Sequence, residues 1–389
     1  MEFVSDFVSG TENAAIIKVI GVGGGGCNAI NRMVDAGLQG VTFIGVNTDR
    51  QALSKCKAEI KIQLGEKTSG GRGAGANPEI GQKAAEETID EIISHIQDAD
   101  MVFITAGMGG GTGTGAAPTI ADLAREAGIL TVAVVTKPFK FEGKRRMDQA
   151  LKGINELLGK VDSLLIIPND RLKYATDQKV TLANAFEIAD DVLRQAVTSI
   201  SDLIKNTGFI NLDFADVTCI MKDAGFAHMG VGHAGGKGKA EDAARMAVSS
   251  PLMETSINGA RGVLINISGS EDMTLEDVEA AANLVQEAAH PEANIIFGAS
   301  FDPELQDEMR VTVIATGFSE IAKSSYRSSR PASAMPVFPT KAEEEPVTPI
   351  MPVMSEQAIA EADEAKADKE TQQAGEDPFD SIFKIFNNK

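Results

Sequence analysis

Residues 106–118 read AGMGGGTGTGAAP. Glycine fills six of these thirteen positions and alanine three, and the two threonines carry the only hydroxyls. Glycine at that density serves special backbone geometry or a very close approach by another group. The preceding DMVFITA (100–106) is a short apolar run with the character of a buried strand. The following PTIADLAREAG (118–128) repeats its apolar residues at helical spacing. GMGGGTGTG (107–115) is therefore a strand-to-helix turn. The free N–H groups and positive dipole end of such a helix suit a phosphate.

A second turn of the same kind lies near the start of the chain. IIKVIGV (16–22) is a β-branched strand, and GVGGGG (21–26) fits G-x-G-x-x-G through Gly21, Gly23 and Gly26. CNAINRMVDAGL then continues as a helix. Taken singly, this loop has two other readings. One is tight strand-to-helix packing. The other is a dinucleotide-dependent oxidoreductase, with Asp49 at the end of TFIGVNTD (42–49) as the ribose-binding acid. Two phosphate loops in one sheet favour a different arrangement, in which both clamp the same polyphosphate chain. Thr112 and Thr114 would donate hydroxyl hydrogen bonds to its oxygens. Neither loop has the Lys-Ser/Thr pair of the Walker motif, so amides, helix dipoles, a divalent cation and an arginine must balance the phosphate charge.

The rest of the first half supports this frame. GGRGAGANPEIG (70–81) is a glycine-rich loop, and one helix is expected from Pro78 to Gln97. TVAVVTKPF (131–139) and SLLIIPND (163–170) read as further strands. Strands alternating with helices predict a doubly wound parallel sheet that binds its ligand at the strands' carboxyl ends. Residues 178–205 predict a long core helix joining two domains, with an apolar stripe through Phe186, Ala189, Leu193, Ala196 and Ile200. Beyond it, VTCIM (217–221), GVLINIS, NIIFGAS and RVTVIAT read as strands, and LEDVEAAANLVQEAA as a helix, forming a smaller α/β domain.

From Ser328 the composition turns Pro-rich and then acidic, which predicts a flexible linker. It ends in DPFDSIFKIFNNK, where Phe379, Ile382, Phe383 and Phe386 fall on one helical face. Such a peptide suits a groove on another protein; the alternative is docking on its own core. The expected boundaries are 12–177, 178–205, 206–325, 326–376 and 377–389.

Composition excludes several classes. The 389 residues carry a net charge of −20, and residues 331–377 hold 3 basic and 11 acidic residues, so the remainder is acidic too. With no basic stripe to neutralise phosphates, no nucleic-acid partner is expected. The three cysteines, Cys27, Cys56 and Cys219, form neither CxxC nor an even framework. The opening MEFVSDFVSG is acidic where a signal peptide would be basic. No apolar run approaches the roughly 18 residues of a membrane span. A reduced cytoplasmic protein without direct membrane insertion is the expectation.

These motifs together resemble the tubulin family, and within it FtsZ, the bacterial tubulin-like division GTPases. The resemblance runs from about Ile16 to Ala322 and includes the linker and tail. It rests on GVGGGGCNA, NTD, GAGANPEIG, AGMGGGTGTGAAP, FEGKRR, PND and NLDFADV. It implies an α/β tubulin-like fold with an N-terminal GTP-binding domain, a core helix and a smaller C-terminal α/β domain. It implies GTP phosphates against Gly24, Gly25, Gly26, Cys27 and Asn28, and against Gly111, Thr112 and Gly113. Glu142 would contact the ribose, Arg146 the phosphates, and Asn169 the sugar and base. Phe186 and Asp190 match the guanine-binding positions, and their i, i+4 spacing puts both on one helical face. A ring can stack on a purine, and a carboxylate can accept both guanine N1–H and its exocyclic amine. Without the resemblance, Phe186 reads as a core aromatic and Asp190 as a surface acid.

A group that orients water is missing from these loops. N-x-D-x-x-D, formed by Asn211, Asp213 and Asp216 in TGFINLDFADVTCIM, is the candidate. Its ordinary reading is helix capping by Asn211 or Asp213. The resemblance implies instead that this segment enters the nucleotide site of the next subunit, so that a head-to-tail homopolymer completes the GTPase. It further implies Mg2+ with GTP/GDP, assembly into a division ring at midcell beneath the inner membrane, and recruitment of membrane-tethering and regulatory division proteins through residues 377–389. A non-hydrolysing, nucleotide-gated scaffold is a third reading. Cys27 stands where relatives usually carry a small or amide residue, Asp190 where some have asparagine, and the closing SIFKIFNNK lacks the basic final cluster and the proline of many relatives. His228 and His233 flank MGVG without metal-ligand spacing and are expected on a loop or surface.

Overall fold

The apolar runs that flank the two glycine loops form neighbouring parallel strands. The computed structural model describes residues 15–174, 179–181, 184–205, 210, 212–253, 256–302 and 305–318. In chain order the first half comprises β1 (Ile17–Val22), α1 (Gly23–Asp35), β2 (Val41–Asn47), α2 (Arg50–Ser54), β3 (Ile60–Gln63), α3 (Glu66–Ser69), α4 (Pro78–Glu87), α5 (Ile89–Ile96), β4 (Met101–Gly107), α6 (Thr112–Glu126), β5 (Leu130–Lys137), α7 (Lys144–Leu158) and β6 (Ser163–Pro168). The second half comprises α8 (Ala185–Lys205), α9 (Phe214–Met221), β7 (Gly225–Gly235), α10 (Lys239–Val248), β8 (Gly262–Gly269), α11 (Leu275–Ala288), β9 (Asn294–Phe301) and β10 (Glu308–Thr316).

The sheet order is β3-β2-β1-β4-β5-β6-β7-β10-β8-β9. Every pairing from β3 to β7 is parallel, while β10 runs antiparallel to β7 and β8. The strand order reverses between β1 and β4. Ligands of open α/β sheets bind at that crevice, outside the carboxyl ends of the strands. Both glycine loops leave those two ends.

Burial on both sides of the sheet explains the continuous apolar runs. Ile17 and Val19 face a layer that contains α1 and α8. Ile20 and Val22 face the opposite layer, with α4, α5, α6 and α7. The same α8 layer holds Met229, Leu264 and Ile314 of the later strands, so α8 serves both halves as a common core helix. The far face of β7, β8 and β10 is covered by α10 and α11.

Several expectations are corrected. VTCIM is the end of α9, not a strand. Val217, Ile220 and Met221 are buried there, the i, i+3, i+4 pattern of a helix, which a five-residue apolar run hides. The helix expected from Pro78 to Gln97 breaks at Thr88, whose hydroxyl bonds the Ala84 carbonyl and accepts from Gly65 N–H. The helix expected to open at Pro118 opens at Thr112 and carries Pro118 inside it. Thr-Gly-Thr-Gly is a poor helix former, and packing overrides propensity: a Cβ on Gly115 would stand 1.9 Å from the Pro78 carbonyl. His228 and His233 lie on strand β7, where His233 is at the surface as expected and His228 is not. His228 is buried, and His233 pairs with Glu308 at 3.0 Å. The predicted linker and terminal peptide, residues 326–389, lie outside the described residues.

Candidate functional site

The glycines around the β1–β4 crevice divide into two groups. Most are required by neighbouring backbone. A Cβ on Gly26 would stand 2.3 Å from the Thr105 carbonyl, and one on Gly113 2.7 Å from the Gly107 carbonyl. One on Gly111 would meet Ala74 at 2.7 Å and the Asn77 nitrogen at 2.9 Å. Gly24 and Gly110 differ, because open space lies where their Cβ would be. Among the described residues nothing requires glycine at those two positions, and both sit at the loops expected to meet phosphate.

A cavity of about 290 Å³ opens beside them, lined by Gly24, Asn47, Asp49, Ala52, Arg72, Gly73, Ala74, Gly75, Ala76, Gly111 and Thr112. Residues 72–76 and Asn47 were not singled out in the sequence. The signal was there in GAGANPEIG. Gly73, Gly75 and Ala76 all take positive φ, and Asn77 caps α4 with Pro78 at its first turn. Asp49 caps α2 by accepting from Gln51 and Ala52 N–H on one carboxylate oxygen, which gives it a structural role apart from the ribose contact of the oxidoreductase reading.

The remaining predicted residues fall around this crevice with distinct roles. Gly24 and Asn28 are exposed on α1, while Gly26 and Cys27 are buried. Cys27 Sγ points inward, 3.6 Å from the Gly21 carbonyl and 3.9 Å from that of Val46. The neighbouring Cys56 thiol, and then burial, push the Cys27 thiol up, which disfavours the reactive thiolate. Thr112 lines the cavity, and its hydroxyl lies 2.6 Å from that of Thr48. Thr114 is buried, and its hydroxyl accepts from Gly109 N–H at 2.8 Å, which fixes the loop from within.

Arg146, on the first turn of α7, packs against the second loop, where a Cβ on Gly109 would touch its side chain at 2.7 Å. Its guanidinium pairs with Glu142 at 3.1 Å, and Glu142 also accepts from Phe139 N–H at 2.8 Å. Asn169 follows the carboxyl end of β6, is buried, and its Oδ1 has no hydrogen-bond partner among the described residues. A buried orphan acceptor is costly unless a ligand satisfies it.

Phe186 and Asp190 lie on the first turns of α8. Phe186 is 45% exposed and lies perpendicular to Phe139 with ring centres 5.5 Å apart. Asp190 is half-buried on the side facing α1. Burial pushes its carboxyl up to about 7, opposed by Arg32 and reinforced by Glu187. Arg32 reaches Asp190 at 3.9 Å and Glu187 at 3.6 Å. Gly24, Asn28 and Arg32 form one i, i+4 row on α1. The row spans about 12 Å at 1.5 Å per residue, the reach of a nucleotide with phosphates at Gly24 and base at Asp190.

The acidic turn lies elsewhere. Asp213 caps α9 by accepting from Asp216 N–H at 2.8 Å, and Asp216 accepts from Asp213 N–H at 3.1 Å. The capping reading is therefore correct, and each carboxylate keeps a second oxygen. Asn211 lies outside the described residues. Leu203, in the last turn of α8, and Leu212 converge on Gly298. Asp213 thus sits by the far end of α8, about 26 Å of helix axis from Phe186. Met221, at the other end of α9, accepts from Ser163, at the amino end of β6. The acidic turn thus lies toward the amino ends of the parallel strands, and the crevice at their carboxyl ends.

Among the described residues no cluster of three or more His, Cys, Asp or Glu could hold a metal. None of their helices is long and apolar enough to cross a membrane.

Comparison with known proteins agrees with this geometry. The model of the Tubulin/FtsZ family GTPase domain matches residues 16–177, and that of the FtsZ family C-terminal domain matches residues 225–319. An FtsZ dimer from M. jannaschii is 44% identical, covers 79% of this chain and 89% of its own, and superposes with a TM-score of 0.76. A point mutant of M. jannaschii FtsZ gives the same identity and TM-score, with 79% and 92% covered. CetZ2 from Haloferax volcanii, in a GTPγS-bound protofilament, is 20% identical over 81% of this chain and 97% of its own, with a TM-score of 0.67, and shares the fold.

Proposed function

Since the chain belongs to the Tubulin/FtsZ family and is a GTPase, we propose that it is a GTP-dependent cytoskeletal protein that assembles head to tail and builds the division ring at the site of septation. The nucleotide lies along α1. Its phosphates rest on the N–H groups of Gly24, Gly25, Gly26, Cys27 and Asn28 and on those of Gly111, Thr112 and Gly113, with Arg146 neutralising charge. Glu142 takes the ribose and Asn169 the sugar and base. Phe186 stacks on guanine, and an ionised Asp190 accepts from its N1–H and amine, a pairing adenine cannot make.

The observation that carries the reading is the separation of the acids from the crevice by the length of α8. Asp213 and Asp216 cannot serve the nucleotide of their own chain, but the far edge of one subunit can meet the crevice of the next. A contact between unlike edges propagates into a filament rather than closing. Their free carboxylate oxygens, with Asn211, would then polarise the water that attacks the γ-phosphate. Description of the 44% identical relative as an FtsZ dimer supports self-association. Mg2+, held chiefly by the phosphate oxygens, would neutralise charge developing between the β- and γ-phosphates.

In this reading residues 12–177 bind GTP, 178–205 carry the core helix, whose helical course begins at Ala185 rather than at 178, and 206–325 form the polymerising domain. Residues 326–376 act as a tether, and 377–389 as the peptide that recruits membrane-tethering and regulatory division proteins. The site of action is the cytoplasm, at midcell beneath the inner membrane. Nothing supports the oxidoreductase reading: the matched family is a GTPase, and Asp49 is engaged as a helix cap. The test is GTPase rate against protein concentration. A threshold followed by a steep rise is expected, and full-speed turnover by dilute monomers would overturn the reading.

A further inference from the structure

Thr48 follows the last residue of β2 and is completely buried. Its hydroxyl oxygen lies 2.6 Å from that of Thr112, the first residue of α6 and part of the cavity wall. At that distance one of the two hydroxyls donates to the other. Each hydroxyl has a single proton, so the direction of the bond decides what Thr112 offers to the cavity. If Thr112 donates to Thr48, its proton is spent and its lone pairs face the ligand, which repels an anion. If Thr48 donates, the Thr112 proton is free to point at a phosphate oxygen.

The backbone of Thr48 is held from the other wall of the same cavity. Its carbonyl accepts from Gly73 N–H at 3.1 Å, from the Ser69 hydroxyl at 3.1 Å and from Gln63 Nε2 at 3.0 Å. Gly73 lines the cavity itself. One residue therefore ties the 69–73 loop to Thr112 of the second phosphate loop, where α6 begins.

We propose that Thr48 is a positioning residue for nucleotide recognition: its buried hydroxyl donates to Thr112 and so turns the Thr112 proton toward a phosphate oxygen of the bound guanine nucleotide. The chain runs Thr48 O–H to Thr112 O–H to phosphate, and each bond polarises the next. Thr48 touches no ligand. It sets the polarity of a residue that does, and it carries to that residue the position of the loop on the opposite wall. The proposal rests on the guanine-nucleotide reading of the crevice.

The experiment is a double-mutant cycle on the full-length chain, read as GTP affinity and as KM against kcat. Thr48→Val keeps the shape and removes the donor. It is expected to weaken GTP binding about tenfold, with KM rising and kcat changing less than twofold. Thr48→Ser restores the donor and should bind within twofold of the wild type. Thr112→Val should weaken binding comparably, and adding Thr48→Val to it should change nothing further. Fully additive losses, or wild-type affinity in Thr48→Val, would overturn the proposal. Melting of the nucleotide-free variants separates a merely structural loss, which would not be abolished in the Thr112→Val background. Should Thr48→Val fail to fold, Thr48→Cys, with its much weaker donor, must bind GTP less tightly than Thr48→Ser. If wild type binds no GTP at all, the reading of the crevice fails rather than the role of Thr48.

Discussion

The guanidinium of Arg32 on α1 stands 3.9 Å from the carboxylate of Asp190 on α8, and it opposes the burial that raises that carboxyl to about 7. Guanine, which offers two donors, needs the ionised form. Its binding should therefore release a proton below pH 7, and GTP affinity should climb between pH 6 and 8 and then level off. Arg32→Ala should move the midpoint upward, and Asp190→Asn should flatten the profile. Titration of GTP at several pH values checks all three.

Asp190 also affects the empty protein. Its folded carboxyl holds a proton more tightly than the unfolded one, so the native state binds the excess proton between about pH 4 and 7. Stability contributed by that proton is present at the low end and is lost as pH rises to 7. Asp190→Asn should melt progressively higher than wild type across this window when nucleotide is absent. A melting difference independent of pH would contradict the buried, raised carboxyl.

Glycine substitutions should separate the two groups around the crevice. Gly26→Ala must displace the Thr105 carbonyl at 2.3 Å and should cost upwards of about 3 kcal/mol, the upper end for overpacking. Gly24→Ala and Gly110→Ala meet open space and should melt like wild type. Gly24 lies within α1, so its replacement should if anything add about 0.5–1 kcal/mol. Both of these stable variants should nonetheless bind GTP poorly. Calorimetric melting paired with nucleotide titration would show the contrast.

Phe186→Ala should weaken GTP binding by about 1–3 kcal/mol, the usual worth of a base stacked on an aromatic ring. The ring is 45% exposed, so nucleotide-free stability should change by less than about 1 kcal/mol. Phe186→Tyr should retain most of the affinity. Equal losses of affinity and of empty-protein stability would make Phe186 a packing residue instead.

Asp213 serves as a cap within its own chain whatever else it does. Asp213→Ser keeps a good N-cap and should melt within about 0.5 kcal/mol of wild type, whereas Asp213→Ala should lose about 1 kcal/mol. Both should assemble with GTP yet turn it over poorly. Rapid hydrolysis by Asp213→Ser would reduce this residue to its capping role.

Legibility in the sequence followed the range of the interactions. Strands β1, β4, β5 and β6 were readable because burial on both faces writes unbroken β-branched runs. The glycine loops were readable because a strand, a turn and a helix follow one another within a few residues. α9 was misread because Val217 to Met221 is too short to show a period, while its start signal, the Asp213–Asp216 box, was assigned to chemistry. β7 was missed because its residues alternate glycine and histidine with small apolars, a composition set by α10: a Cβ on Gly230 or Gly232 would strike the Ala247 or Ala243 carbonyl at 2.0 or 1.9 Å. The bond from Gly109 N–H to the Thr114 hydroxyl was not readable, because sequence shows that a hydroxyl is present but not which way it turns. The 72–76 wall and Thr48 were overlooked because their roles depend on contacts between segments distant in the chain.

The uninterrupted course of α8 from Phe186 to Leu203 gives the molecule a lever. A tilt of about 5° at the end that grips the base sweeps the other end by about 2 Å over some 26 Å of axis. A displacement of that size is enough to part any hydrogen bond made there. Were the proposed joint to respond to loss of the γ-phosphate, α8 would be the element that spans the distance between the two.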